Sequence, residues 1–287
     1  MTNGRMSREA PHAIRPGVAA IVTHYNRPHL VNDAIRSLLA QTRLPDVIVV
    51  LDDASEGFGP ETVISHPLIS VYRSTENVGP YRLIEWAIRN VPFTWYMIQD
   101  CDDISAPTRL ENLLAAASRH NADMVCSAIR HQVVATGETR DVTFAADASA
   151  QLRVGNPLAL CLWGSSILSR ALWARVGGIA TGLRFSGDAE FVSRACCVGR
   201  VINIPTIELL RRIYPDSLTR RPDTGMQSPA RKALHQQLRA QADARVAALR
   251  AGLPADLRPI STAPEIRMEL VRSGEQLGRP NGAPASP

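Results

Sequence analysis

Through the first 130 residues, short apolar runs alternate with stretches in which apolar residues recur every three or four positions. The run VAAIVT at 18–23 is continuous and partly β-branched, which predicts a buried strand. Asn26-Arg27-Pro28 interrupts it, and Leu30, Val31, Ala34, Ile35, Leu38 and Leu39 then follow helical spacing. VIVVL at 47–51 predicts a second strand, closed by Asp52-Asp53, and 69–72 a third. Asn77-Val78-Gly79-Pro80 reads as a turn before a helix carrying Leu83, Ile84, Ala87 and Ile88. Residues 94–98 predict the next strand, 108–118 a helix and 123–129 another strand. This alternation predicts an α/β domain around a parallel sheet, in which ligands bind at the carboxyl ends of the strands. Three polar clusters fall at such ends: Thr23-His24-Tyr25-Asn26, Asp52-Asp53, and the stretch QDCDD at 99–103. The pattern predicts that they meet in space.

Beyond residue 130 the alternation is irregular. Helices are predicted at 169–176 and 189–197, a strand at 201–204, and a long Ala/Arg/Gln-rich helix at 229–250. The layout is then a loose N-terminus at 1–16, one α/β domain at 17–225, a C-terminal helix at 226–251, and a Pro/Gly/Ser-rich tail at 252–287 expected to be disordered. The apolar stripe of the long helix, Leu234, Leu238, Val246 and Leu249, is thin. Packing on the domain is the first reading of it; docking on an anionic membrane and a homodimer contact are the alternatives.

The 287 residues carry a formal charge of +5, 45% hydrophobic residues and 5% aromatics, with no Lys/Arg run interleaved with aromatics. Nucleic acid is therefore not an expected partner, whereas an anionic small molecule such as a nucleotide is. The five cysteines form no C-x-x-C pair, so neither a disulfide framework nor a zinc site is expected and a reducing cytosol fits best. The first residues lack the apolar core of a signal peptide, and no apolar run approaches the ~20 residues of a membrane span. The expectation is a cytoplasmic chain, with peripheral membrane contact left open.

In QDCDD, the side chains of Asp100 and Asp102 would share one side of an extended segment. Two such carboxylates suit a hard divalent cation, Mg²⁺ or Mn²⁺, whose shell is completed by phosphate oxygens and water. The pattern thus points to a metal-bound nucleotide diphosphate; a solvated acidic turn is the plain alternative.

Taken together, VTHYNRP, VVLDDAS, NVGPYR and IQDCDDISAPTRLE resemble the inverting glycosyltransferases of family 2. So do Gly164-Ser165-Ser166, Val176-Gly177-Gly178-Ile179, and the stretch Gly187-Asp188-Ala189-Glu190-Phe191 with Arg194. The resemblance implies a GT-A fold, Rossmann-like with a mostly parallel sheet flanked by helices, here with a C-terminal helical extension. It implies that Thr23, Tyr25 and Asp53 hold the nucleotide base, that Arg82 lies near the nucleotide, and that Asp100 and Asp102 bind the metal, with Asp100 near the ribose. Asp103 would support the loop. Asp188 would be the catalytic base, with Glu190 behind it as second candidate; the Glu that precedes this Asp in the family is Gly187 here. Trp163, Gly164 and Ser165 would line the acceptor pocket. Arg211 and Arg212 would contact the diphosphate, and Tyr214 stands where the family has a histidine.

The function implied is metal-dependent, inverting transfer of a hexosyl or related sugar from a nucleotide-diphosphate donor, UDP-sugar by default. The acceptor is a hydroxyl on a glycan, a lipid-linked glycan or a small metabolite. Two alternatives stand beside it. One is a catalytically silent protein that binds a sugar nucleotide or serves as a scaffold. The other is a nucleotidyltransferase, against which stands the absence of glycine from THYNRPH after the first strand.

Overall fold

The computed structural model describes residues 13–154 and 157–278. The expected loose N-terminus lies outside the described residues except for 13–16, and the last residues of the tail, 279–287, lie outside them as well. Among the described residues ten strands form one sheet. In chain order the elements begin β1 (Arg15–His24), α1 (Pro28–Leu39), β2 (Val47–Asp52), β3 (Ile69–Ser74), α2 (Pro80–Asn90), β4 (Phe93–Asp100), β5 (Ile104–Ser105) and α3 (Arg109–His120). They continue with β6 (Met124–Val133), β7 (Thr139–Val142), α4 (Ala148–Gln151), β8 (Ile167–Ser169), α5 (Arg170–Val176), α6 (Gly187–Val198), β9 (Val201–Ile213), α7 (Pro229–Arg250), β10 (Met268–Arg272) and α8 (Glu275–Gly278).

The sheet runs in the order β10-β3-β2-β1-β4-β8-β6-β9-β5, with β7 paired to β6. Strands β3, β2, β1 and β4 are parallel neighbours, so their carboxyl ends share one edge. The other half is mixed: β8 runs antiparallel to both β4 and β6, while β6 and β9 are parallel.

The continuous apolar runs follow from burial on both faces. Ala19 and Ile21 of β1, with Val47, Val49 and Leu51 of β2, face a core built from α2, α5, α6 and α7. The intervening Val18, Ala20, Val22, Ile48 and Val50 face a second core built from α1 and α3. Each fully buried Val, Ile or Leu contributes about 1.5–3 kcal/mol, so a register slip of one residue would misplace every one of them. Helix α7 packs on the domain, as its first reading has it: Ala242 and Val246 join the α2/α5/α6 core.

The tail corrects the sequence reading. Residues 252–278 are not disordered but run back over the domain. Ser261 O accepts from Gly182 N–H, and Ala263 N–H donates to Thr181 Oγ1. Strand β10 then pairs antiparallel with β3, and the Arg272 guanidinium donates to the carbonyls of Pro60, Val63 and Ile64. Proline and glycine argue for disorder only where no surface receives the chain. Here the open edge of β3 supplies unpaired backbone groups that β10 satisfies.

Candidate active site

The three polar clusters meet as the pattern predicts. Thr23 lies in register with Leu51 on one side and Asp100 on the other, and His24 is in register with Asp52. His24 Nδ1 is 3.0 Å from Asp52 Oδ1 with both side chains buried, and His24 Nε2 accepts from Arg27 N–H. Asp53 anchors the start of α2: its Oδ1 accepts from Val78 N–H at 2.7 Å, and its Oδ2 from Gly79 N–H at 2.9 Å and Asn77 Nδ2 at 3.1 Å. Burial raises the Asp53 carboxyl above its ordinary range, opposed by those two backbone donors. Thr23 is half-buried and Tyr25 is exposed at the rim.

Behind the QDCDD loop lies Arg109, fully buried at the start of α3. It donates to Gln99 Oε1 at 2.6 Å, Ser105 Oγ at 2.9 Å, and the carbonyls of Ile98 and Gly164 at 2.8 and 2.7 Å. Burial lowers its guanidinium to about 10 against the pull of Asp103. Arg212 clamps the loop from β9: its N–H donates to Asp103 Oδ1 and its Nε to the Asp102 carbonyl. Asp103 is buried and ties the loop to β9, and burial with Asp100 and Asp102 beside it pushes its carboxyl well up.

Asp100 and Asp102 are held differently. Among the described residues, neither carboxylate accepts a hydrogen bond from another side chain. Burial, with Asp102 and Asp188 adding repulsion and Arg211 opposing, pushes the Asp100 carboxyl up to about 6. Burial likewise raises Asp102, with Arg27, Arg211 and Arg212 opposing. Gly164 makes room for this arrangement, since a Cβ there would stand 3.2 Å from Asp100 Oδ2. Arg27 forms an ion pair with Asp216 at 2.8 Å and lies over the Tyr214 ring. The Arg211 side chain makes no hydrogen bond or ion pair among the described residues, so its guanidinium stays available beside the two carboxylates.

Asp188 stands in the first turn of α6, and Tyr81 of α2 donates from its hydroxyl to Asp188 Oδ1 at 3.0 Å. Burial and the adjacent carboxylate raise Tyr81 well above the ordinary phenol range, so it remains a donor. Gly187 is where the ring of Tyr81 rests: a Cβ would come within 2.9 Å of its Cδ2. That contact gives a physical reason for glycine in place of a larger residue. Asp188 also borders a small cleft with Leu160, Cys161 and Trp163. Trp163 is buried, edge-on to Phe191 at 5.1 Å.

The family described as Glycosyl transferase family 2 matches residues 19–177. The chain belongs to that family. The matched stretch includes every site residue discussed from Thr23 to Ser165 and ends before Asp188. A curated relative, the succinoglycan biosynthesis protein ExoO of Rhizobium meliloti (strain 1021), is 30% identical over 111 residues, 38% of this chain and 32% of that one. The chain thus matches about a third of that relative's length. Among solved structures, S. aureus TarS 1-349 in complex with UDP superposes with a TM-score of 0.57 at 17% identity, covering 79% of this chain and 71% of that chain. The complex of TarS 1-349 with UDP-GlcNAc gives 0.59 at 15% identity, with the same coverage. The fold of this family 2 chain is accordingly GT-A.

Two expected site residues of the glycosyltransferase are corrected by the structure. Glu190 is fully buried, paired twice with Arg194 at 2.8 and 2.5 Å, and accepts from Ile260 N–H, so it is not available as a base. Ser165 is fully buried and its hydroxyl is bonded to the Ser127 and Leu162 backbone, so it braces β6 and does not line an acceptor pocket. The Arg82 guanidinium donates from Nη2 to the Pro264 carbonyl and lies near enough to Asp53 to favour its charged form. Sequence reasoning gave no role to Arg27, Tyr81 or Arg109. All three lie inside quoted motifs, but only their long-range partners give them work.

Among the described residues no three His, Cys, Asp or Glu side chains converge to hold a metal by themselves. Two half-buried, mutually repelling carboxylates without side-chain donors fit a divalent cation that takes the rest of its shell from a diphosphate and water. No helix among the described residues is long and apolar enough to cross a membrane.

Proposed function

We propose that this family 2 glycosyltransferase moves a sugar from a UDP-sugar to a hydroxyl of a glycan or lipid-linked glycan, with inversion and with Mg²⁺ or Mn²⁺. The observation that carries the reading is the juxtaposition of two differently equipped carboxylate groups. Asp100 and Asp102 are short of donors and sit beside the unpaired Arg211, while Asp188 is held by Tyr81 at the mouth of the Trp163 cleft. The UDP complexes of TarS support the donor class, and the name of the succinoglycan relative supports a glycan acceptor.

Thr23, Tyr25 and Asp53 would receive the base, and Asp100 the ribose side. Asp100 and Asp102 would hold the metal, which when bound offsets charge on the departing diphosphate as a Lewis acid. Arg211 supplies a cation to the same oxygens. The acceptor oxygen attacks the anomeric carbon from the face opposite the diphosphate. The bond from that carbon to the phosphate oxygen breaks with its electron pair going to UDP, and the acceptor proton passes to Asp188.

The test is calorimetric titration with UDP, GDP, dTDP and CDP and their sugars, with and without Mn²⁺, on the wild type and Asp102→Ala. Mn²⁺-dependent binding of UDP that is lost in Asp102→Ala is the expected result, followed by UDP release that Asp188→Asn abolishes. Binding without any turnover would favour a silent sugar-nucleotide binder. Failure of folded protein to bind any nucleotide would overturn the transferase reading.

A further inference from the structure

We infer that Tyr81 is a positioning residue that sets the orientation of the Asp188 carboxylate, and that Gly187 is required because the Tyr81 ring lies on it. The inference rests on Asp188 being the base.

A carboxylate that takes a proton from an acceptor needs one oxygen aimed at that acceptor and the other held still. Asp188 is placed in this way. Its Oδ1 accepts from the Tyr81 hydroxyl at 3.0 Å, and its Oδ2 carries no hydrogen bond among the described residues. The two residues are 107 positions apart and come from different helices, so only packing brings them together. The approach depends on Gly187: three ring atoms of Tyr81 lie 2.9–3.0 Å from where a Cβ would stand. Any side chain there must push the ring, and with it the hydroxyl, off Asp188.

Tyr81 is itself well anchored. It is the second residue of α2, and the turn that leads into this helix is held by the Asp53 carboxylate through the N–H groups of Val78 and Gly79. A continuous path therefore runs from the floor of the nucleotide side to the base: Asp53, the Asn77–Gly79 backbone, Tyr81 and Asp188. The ring is not a generic wedge, since a phenylalanine would fill the same space over Gly187 and lack only the hydroxyl. The hydroxyl is thus separable from packing by experiment.

Two measurements test it. In the first, protein labelled with ¹³C at the tyrosine Cζ is read by NMR. The Tyr81 hydroxyl should exchange slowly with solvent, and should exchange fast in Asp188→Ala. A freely exchanging hydroxyl in the wild type overturns the inference, whatever the enzyme does. In the second, UDP release is measured from the UDP-sugar selected by titration. Tyr81→Phe should lower kcat about tenfold, the value of one hydrogen bond to a charged group, with the donor KM within about twofold and Tm lowered by no more than several degrees. Gly187→Ala should lower kcat in the wild type and do nothing further in Tyr81→Ala, where the ring is gone.

Unchanged kcat in Tyr81→Phe, in an enzyme that Asp188→Asn inactivates, overturns the positioning role and leaves the base reading intact. Full activity in Asp188→Asn removes the base reading and the inference with it.

Discussion

His235 Nε2 of α7 lies 2.9 Å from Ser186 Oγ, two residues before Asp188. Ser186 is buried at φ 60°, a left-handed conformation that non-glycine residues adopt at a cost, and Arg231 Nη1 reaches the same hydroxyl. The C-terminal helix therefore does more than cover the core. It braces the strained residue from which the helix bearing Asp188 departs.

This contact carries a pH dependence. Burial, with Arg231 and Arg239 nearby, lowers His235 below the ordinary 6.5. The unfolded chain then binds the proton more readily than the folded one, so the stability His235 contributes is present above pH 6.5 and lost as the pH falls below it. Asp100, Asp102 and Asp103, raised by burial, act with the opposite sign. The readout is therefore a difference. The Tm of His235→Gln, which keeps a partner for Ser186, should rise relative to wild type as the pH is lowered from about 7.5 to about 5.5. Parallel Tm curves for the two proteins would refute the assignment.

Glu190 and Arg194 have both side chains fully buried and paired. Removing one charge strands the other, so Glu190→Gln should destabilise the fold by about 3–5 kcal/mol in urea unfolding. Asp188→Asn, two residues away and half-buried, should change stability little while abolishing turnover. If Glu190→Gln kept wild-type stability and lost activity, Glu190 would regain its place as the candidate base.

Gly164→Ala is expected to act on the metal without unfolding the chain. The new Cβ would press on Asp100 Oδ2 from 3.2 Å, and on Asp103 Oδ2 from 3.7 Å. Mn²⁺-dependent UDP binding should weaken roughly tenfold, the usual scale for disturbing a residue that orients a ligand. Calorimetry at fixed UDP with varied Mn²⁺ reads this directly; unchanged Mn²⁺ affinity would mean that Asp100 is not a ligand.

Truncation after residue 266 removes β10 and the Arg272 anchor, uncovering the edge of β3. An exposed edge with Ile69 and Val71 on it is a template for pairing with another chain. The truncated protein should self-associate in light scattering at concentrations where the full chain does not. A monodisperse truncated chain would show that β10 is dispensable as a cover.

Much of this protein is legible along the chain because its signals are local. Apolar runs and helical spacing determined β1 to β4, α1 to α3 and the whole of α7, since burial on two faces leaves only apolar residues in the strands. The strand-end rule brought Thr23, Asp52 and Asp100 to one edge before any coordinates, because parallel strands must end on the same side. Strands β5, β7, β8 and β10 were not legible. Each is only two to five residues long; β7 closes a hairpin on β6, and the other three are stabilised by a neighbour remote in sequence rather than by their own pattern. The same reason divides the site. That carboxylates gather at Asp100–Asp103 and at Asp188 is written in residue type and order. Which of them are free to act was decided only by tertiary contacts: Arg194 consumes Glu190, Arg212 consumes Asp103, and Tyr81 leaves Asp188 one open oxygen.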